Sequence, residues 1–434
     1  MEDESSSLKK HKQIEFPKNF INPKNVILFV LLVEIIKWAF ILLFDNYRNM
    51  YYSTYDGQAT LYLNGVRNYN QYVNMEGPCH NPALDIYLHV ILKKITSDAK
   101  NPYAAILWGT LWHLLIWFMA VKIYQEAFEK HSSNVLLVTI CCLGIKYTWI
   151  SVKYAYGECY SVFVVLIAVY LFQKGYSILA CAAFSVALGL RIHMMYYLPG
   201  IFLILCLSKS FWKALFLVGF IIFMQFVWAI EFISLYPTEY FSSVLDTNAI
   251  FDLNAQINQY KWVASRKDTL RYLADSHLLN VFLVIIAVLT WIYLLLVRWL
   301  PLLHPDRELK WDVICRSIGF ELGSIFRLDV KLSPYFVAEV LLLSNYIWLL
   351  WARTLHEQFT VYYWYSLPFL MYPILISNKI ELGFVVCFLV ILDWSYSDPK
   401  FSTINTFFMC SIHMCCMIAN YLVKTPGSYK VEVE

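Results

Sequence analysis

Charge is scarce in this chain: Asp, Glu, Lys and Arg make up 15% of 434 residues, against 59% hydrophobic residues. That balance, with a mean hydropathy of +0.54, excludes one soluble core and reads as a polytopic membrane protein. A cysteine framework is lacking too. Most of the 11 cysteines, including Cys141, Cys142, Cys181, Cys206, Cys387, Cys410, Cys415 and Cys416, fall in apolar stretches, where free cysteine behaves as a small hydrophobe. There is no CxxC and no Cys/His spacing suited to zinc, and adjacent pairs chelate poorly. A Gly-rich phosphate loop and a GxSxG elbow are missing. The net charge of +3 is spread out and leaves no basic stripe, so no nucleic-acid partner is expected. No repeat of fixed period stands out, which counts against a transporter of repeated halves. No cleavable signal peptide is evident, because the first apolar run is full length and follows a polar start.

Long apolar runs are what the chain has instead. About 20 apolar residues cross a bilayer as a helix, and residues 26–44 meet that criterion. Glu34 and Lys37 inside them are three apart and so are expected to pair on one helix face. Further spans are expected near 104–124, 135–150, 158–174, 178–190, 195–209, 212–235, 279–300, 335–351, 359–377, 380–394 and 401–423, roughly a dozen in all. The shorter runs at 135–150 and 178–190 suit re-entrant or tilted segments as well as crossings. Lys9, Lys10, Lys12, Lys18 and Lys24 precede the first span and place the tail 1–25 in the cytosol. One multi-span domain, 26–424, and a tail, 425–434, follow. Its first loop, 46–103, is then non-cytosolic.

Polar residues outside the spans gather in three places. The first loop holds Asp56, Arg67, Glu76, His80 and Asp85 among many Tyr and Asn, a mixture suited to stacking on and hydrogen bonding to sugars. The segment 236–278 carries Asp246, Asp252, Asn254, Lys261 and Arg266. The third place is Ala352-Arg353-Thr354-Leu355-His356-Glu357-Gln358-Phe359, ionisable groups between two apolar stretches. Such groups near bilayer depth pair with each other, line a wet cavity or hold a charged ligand. Tyr55-Asp56-Gly57 suits a turn, although an acid so close to the membrane also suits a general base. Glu76-Gly77-Pro78 and Asn81-Pro82 reverse the chain, and His80 and Asp85 within that segment are expected to be structural.

Leu343-Ser344-Asn345-Tyr346-Ile347, the octapeptide at 352–359, Tyr362-Tyr363-Trp364-Tyr365 and Leu367-Pro368-Phe369 together resemble the dolichyl-phosphate-mannose-dependent α-1,3-mannosyltransferases of the N-glycan precursor pathway, the lethal(2)neighbour of tid family. Weaker similarity runs through roughly 40–425. The family's loop acid falls on Asp56, its Gly-Asp-Thr-Gly-Pro on Asn74-Met75-Glu76-Gly77-Pro78, and a Ser-Val-Lys-Met-Asn segment on 187–193 around Arg191. Late in the chain, Asp393-Trp394 and Tyr396 resemble Cys-Trp-Asn-Thr-Tyr. The chain departs from the pattern at Lys153-Tyr154-Ala155-Tyr156-Gly157-Glu158, in place of Arg-Leu-Phe-Asn-Asp-Pro. Ala255-Gln256-Ile257-Asn258-Gln259 replaces a tryptophan-rich motif, Ala249 replaces an Arg downstream of the retained Asp246, and Glu357 stands where Tyr is common.

The resemblance implies an all-α GT-C type glycosyltransferase of the endoplasmic reticulum membrane, with 46–103 in the lumen. It would transfer mannose from dolichyl-phosphate-mannose to Man5GlcNAc2-diphosphodolichol, with inversion at the anomeric carbon. The donor is then a substrate, and neither a cofactor nor a metal is implied. In that reading Asp56 is the base and Arg353 and His356 hold the departing dolichyl phosphate, since a guanidinium matches phosphate oxygens and a cation offsets leaving-group charge. Arg191 and Lys153 assist, with Glu76 and Asp246 as further substrate-binding candidates. The departures also fit a non-catalytic paralogue binding dolichol-linked lipids or partner enzymes, and charge at bilayer depth fits a transporter.

Overall fold

The computed structural model describes residues 50–74, 77–96, 102–128, 157–246, 277–303, 311–321, 329–352 and 361–375, together with single helical positions (Leu28, Leu32, Ile35, Ile36, Ala39, Leu43) in the first apolar run. The expected spans at 135–150, 380–394 and 401–423 lie outside these residues. Regular secondary structure among the described residues is helical except for a two-residue antiparallel ladder, Val73–Asn74 against Gly77–Pro78.

Two helices precede the bundle, α1 (Met50–Leu63) and α2 (Ala83–Ile95). The turn expected at Tyr55-Asp56-Gly57 is therefore overturned. These residues sit in the second turn of α1, where burial of Thr54, Tyr55, Gln58 and Ala59 outweighs the weak helix propensity of Gly57. The bundle itself is α3 (Pro102–Ala127), α4 (Glu158–Gln173), α5 (Ser177–Leu190), α6 (Leu198–Ser208) and α7 (Phe211–Trp228). After a short α8 (Pro237–Val244) come α9 (His277–Leu294), α10 (Trp311–Ile318), α11 (Pro334–Trp351) and α12 (Leu367–Leu375).

Among the described residues, α3, α7, the α9 segment from Val281 through the π-helical turn Leu295–Trp299, and α11 are long and apolar enough to cross a membrane. The sixteen residues of α4 and fourteen of α5 rise about 24 and 21 Å, short of a full hydrocarbon thickness. They pack against each other through a tight hairpin. Tyr176 N donates to Leu171 O and Gly175 N to Phe172 O, the paired bonds of a Schellman motif, and Gly175 takes φ +82° at the position that demands it.

Helix α11 is the hub. Ser333 caps it, its Oγ accepting from Phe336 N at 3.2 Å, and Pro334 takes the first helical position. Its buried face meets α3, α4, α6 and α9. The approach of α6 depends on Gly200, where a Cβ would stand 2.6 Å from Ser344 Oγ and 3.1 Å from the Val340 carbonyl. Two runs expected as single spans are broken. The run 195–209 begins as a 3-10 turn, Ile192–Tyr197, because Pro199 sets the start of α6. The run 212–235 stops at Trp228, after which Ile230–Ile233 forms one separate turn.

The alternating helices give the bundle two ends. Glu158, Arg191, α1 and α2 lie at one. Lys174 bonded to Glu126, Lys209 beside Asp329, and the Val330 N to Ser208 O hydrogen bond of 2.7 Å lie at the other. At the first end a small aromatic core, Tyr69, Tyr72, Phe232 and Tyr240, fastens the α1–α2 connection onto residues 229–244. There Tyr69 meets Tyr240 edge-on at 4.8 Å, and Arg67 Nε bonds Glu231 at 3.0 Å.

Candidate active site

Helix α2 carries Asp85, His89 and Lys93 four residues apart, so the three stack along one helix face, and that face meets α1. Each rung has a partner. Lys93 Nζ donates to Asp56 Oδ1 at 2.7 Å. The His89 ring stacks on Tyr55 with centroids 4.1 Å apart and planes 18° apart. Asp85 Oδ2 is 2.6 Å from Arg191 Nη1 and accepts from Asn81 Nδ2 at 2.9 Å. Arg191 enters where α5 ends, in an extended residue between α5 and the Ile192–Tyr197 turn. Its Nη2 donates to Tyr55 Oη at 3.1 Å and its Nε lies 3.7 Å from Glu158 Oε1 on α4.

The cluster is graded in depth. Asp85, Glu158, His89 and Arg191 are all at most 4% exposed, whereas the Asp56 and Lys93 side chains are 23% and 12% exposed. The buried part is electrostatically stretched. One guanidinium faces two carboxylates, and Asp85 Oδ1, Glu158 Oε2 and His89 Nε2 have no hydrogen-bond partner among the described residues. Burial lowers the His89 pKa below its ordinary 6.5, with Asp85 opposing and Arg191 adding to the shift, so the imidazole is neutral at pH 7. Gly157 makes the crowding possible, because a Cβ there would lie 2.5 Å from Arg191 Nη2 and 3.6 Å from His89 Nε2.

Of the residues singled out in the sequence, Asp56 and Arg191 come together here, linked through Tyr55. Asp246 instead stands beside His80, with Oδ2 3.9 Å from Nδ1. His80 also contacts the Ser243 carbonyl at 2.9 Å. Arg353, His356, Lys153 and Glu76 lie outside the described residues. The helix leading to Arg353 and His356 ends toward the Arg191 side, since Trp348 on α11 stacks on Tyr196 at 6.0 Å and 11°. Asp85, expected to be structural, is the closest partner of Arg191. Lys93, His89 and Glu158 were not selected at all. Their signal was an Asp-x3-His-x3-Lys stripe along one face of a largely apolar helix, and an acid at the very start of an apolar run.

A half-open carboxylate beside an ammonium can take a proton and meet an anion, while the arginine cluster beneath it holds both helices in place. The arrangement suits transfer of a group from an anionic leaving group to a hydroxyl.

An alignment of 429 residues, covering 93% of this chain and 92% of the relative, gives 20% identity to a probable Dol-P-Man:Man(5)GlcNAc(2)-PP-Dol alpha-1,3-mannosyltransferase of Dictyostelium discoideum. The Arabidopsis thaliana protein of that activity name is 22% identical over 93% of this chain and 89% of its own length. The Mus musculus protein is 22% identical over 89% and 84%. Among solved structures, ArnT from Cupriavidus metallidurans in the apo state covers 92% of this chain and 76% of its own at 11% identity, with a TM-score of 0.46. Residues 28–400 match the family described as ALG3 protein, and the chain belongs to that family.

Proposed function

We propose that this protein is a membrane-embedded mannosyltransferase that moves mannose from dolichyl-phosphate-mannose to Man5GlcNAc2-diphosphodolichol in α-1,3 linkage. The observation that supports it most is the family match across residues 28–400. The reaction named for the relatives from Dictyostelium, Arabidopsis and mouse agrees with it. The helical, multi-pass membrane architecture suits lipid-linked donor and acceptor alike. We place the Arg191 end of the bundle in the lumen of the endoplasmic reticulum and the reaction there.

Asp56 is the base in this reading. Its carboxylate accepts the acceptor hydroxyl proton as that oxygen attacks the anomeric carbon, and the dolichyl phosphate leaves from the opposite face. Lys93, 2.7 Å from Asp56, keeps the carboxylate oriented toward the acceptor hydroxyl. Arg353 and His356 are assigned to the phosphate, and Lys153, Glu76 and Asp246 to outer contacts with the substrates. Arg191 acts through Tyr55 and Asp85 as a positioning residue.

The test is complementation of cells lacking this mannosyltransferase, scored by the size of the lipid-linked oligosaccharide, beside assays of purified protein with dolichyl-phosphate-mannose. The wild-type chain is expected to extend the Man5 lipid by one α-1,3 mannose. Asp56→Asn is expected to lower turnover by about 100-fold or more at unchanged expression. Full activity in Asp56→Asn would remove Asp56 as the base, and failure of the wild-type chain despite normal expression would favour a non-catalytic, lipid-binding role.

A further inference from the structure

At the bundle end opposite Arg191, a cavity of about 260 Å³ opens between the C-termini of α4 and α6, the start of α5, and the stretch leading into α11. Lys174, Lys209 and Lys331 line it with one acid, Asp329, while Phe172 and Leu332 supply apolar wall. Lys213 reaches the same acid from the first turn of α7, at 3.4 Å, and Lys174 is held by Glu126 at 2.6 Å. Among the described residues, four lysines stand against two carboxylates here, a surplus of positive charge that complements a phosphate group.

Local structure explains only half of these cations. Lys174 and Lys209 follow the C-termini of α4 and α6, where a cation offsets the helix dipole. Lys213 and Lys331 stand the other way, in the first turn of α7 and just before α11, positions that the dipole disfavours. Lys331 is exposed and has no acid partner among the described residues. On the wall, Ser208 Oγ is buried with no hydrogen-bond partner among the described residues. Ser177, at the N-terminus of the fourteen-residue α5, adds a helix end that favours an anion.

This end lies opposite the Arg191 end, which the proposed function places in the lumen, so on that reading the cavity faces the cytosol. A basic pocket between helix ends at a cytosolic surface, with an apolar wall continuous with the spanning helices, suits a lipid phosphate.

We propose that this cavity binds a phosphate-bearing group at the cytosolic surface, separately from the candidate catalytic site. The two sources of that chemistry, an anionic lipid headgroup and a soluble phosphate, are distinguished by titration. Purified full-length protein in neutral detergent is titrated with dioctanoyl phosphatidic acid, dioctanoyl phosphatidylcholine or inorganic phosphate, and thermal inactivation is followed. Phosphatidic acid is expected to raise the midpoint saturably and phosphatidylcholine to leave it unchanged. Lys331→Glu is expected to weaken the phosphatidic acid response about 25-fold, at about fivefold per unit of charge over two units, with the ligand-free midpoint unaltered. Lys213→Glu serves as a second variant with the same expectation for the response. Failure of inorganic phosphate to compete assigns the site to lipid, and competition at equal concentration assigns it to a soluble phosphate. Identical effects of the two lipids, or a Lys331→Glu titration that matches the parent, would overturn the proposal.

Discussion

Replacing Arg191 by leucine removes the one cation that the buried cluster holds among the described residues, while leaving its shape partly filled. The guanidinium is 3% exposed and lies 2.6 Å from Asp85, 3.1 Å from Tyr55 and 3.7 Å from Glu158. Solvent therefore screens little of the interaction, and the variant strands two carboxylates away from water. Removing one partner of a buried pair costs about 3–5 kcal/mol, more than about a hundredfold in the ratio of folded to unfolded protein. Arg191→Lys keeps the charge but offers one nitrogen where three are used, and should lose an intermediate amount, about 1–3 kcal/mol. Neutralising the stranded acids in the triple variant Arg191→Leu, Asp85→Asn, Glu158→Gln should recover most of the loss, because the penalty lies in the uncompensated charge. The assay is the midpoint of thermal inactivation in detergent at one fixed scan rate, read as the fraction of monodisperse protein. An Arg191→Leu midpoint equal to the parent, or a triple variant no more stable than Arg191→Leu, would refute the electrostatic account.

Gly157→Ala should destabilise by about 1–3 kcal/mol, since the new Cβ falls 2.5 Å from an Arg191 nitrogen pinned by its partners; the same inactivation assay ranks it against Gly65→Ala, where no atom lies within 4 Å and only the positive φ is strained. Because burial lowers the His89 pKa below 6.5, the unfolded chain takes up a proton that the folded chain refuses as pH falls through about 6.5. Stability is thus fully present above that pH and lost below it, and His89→Phe should flatten this slope. The Arg298–Glu339 pair, with side chains 8% and 2% exposed, joins the π-helical turn Leu295–Trp299 to α11 inside the bundle. Arg298→Met alone should be more damaging than the double variant Arg298→Met, Glu339→Met, again by inactivation midpoint.

Several elements were legible in the chain because their cause is local. The apolar run 335–351 corresponds to α11, and 104–124 to α3, since span length depends on neighbouring residues. The family resemblance also rested on contiguous motifs, and residues 28–400 carry it. Asp56 and Arg191 were picked out on the same ground. The turn at Tyr55-Asp56-Gly57 was misjudged for a complementary reason: three residues that suit a turn in isolation form part of a helix once Tyr55 and Ala59 have a surface to bury against.

Membrane residence and family are written along the chain, because an apolar run long enough to cross a bilayer and a contiguous motif are properties of a stretch of sequence. The pairing of ionisable groups is not. Asp85, Glu158 and Arg191 stand far apart in sequence, and nothing local distinguishes Glu158 from an interfacial acid or Asp85 from a helix-start acid. Burial removes the water that would otherwise solvate each group, and that desolvation makes the nearest opposite charge decisive. Only the packing of α1, α2, α4 and α5 brings Arg191 between two carboxylates and leaves Asp56 half-open beside Lys93.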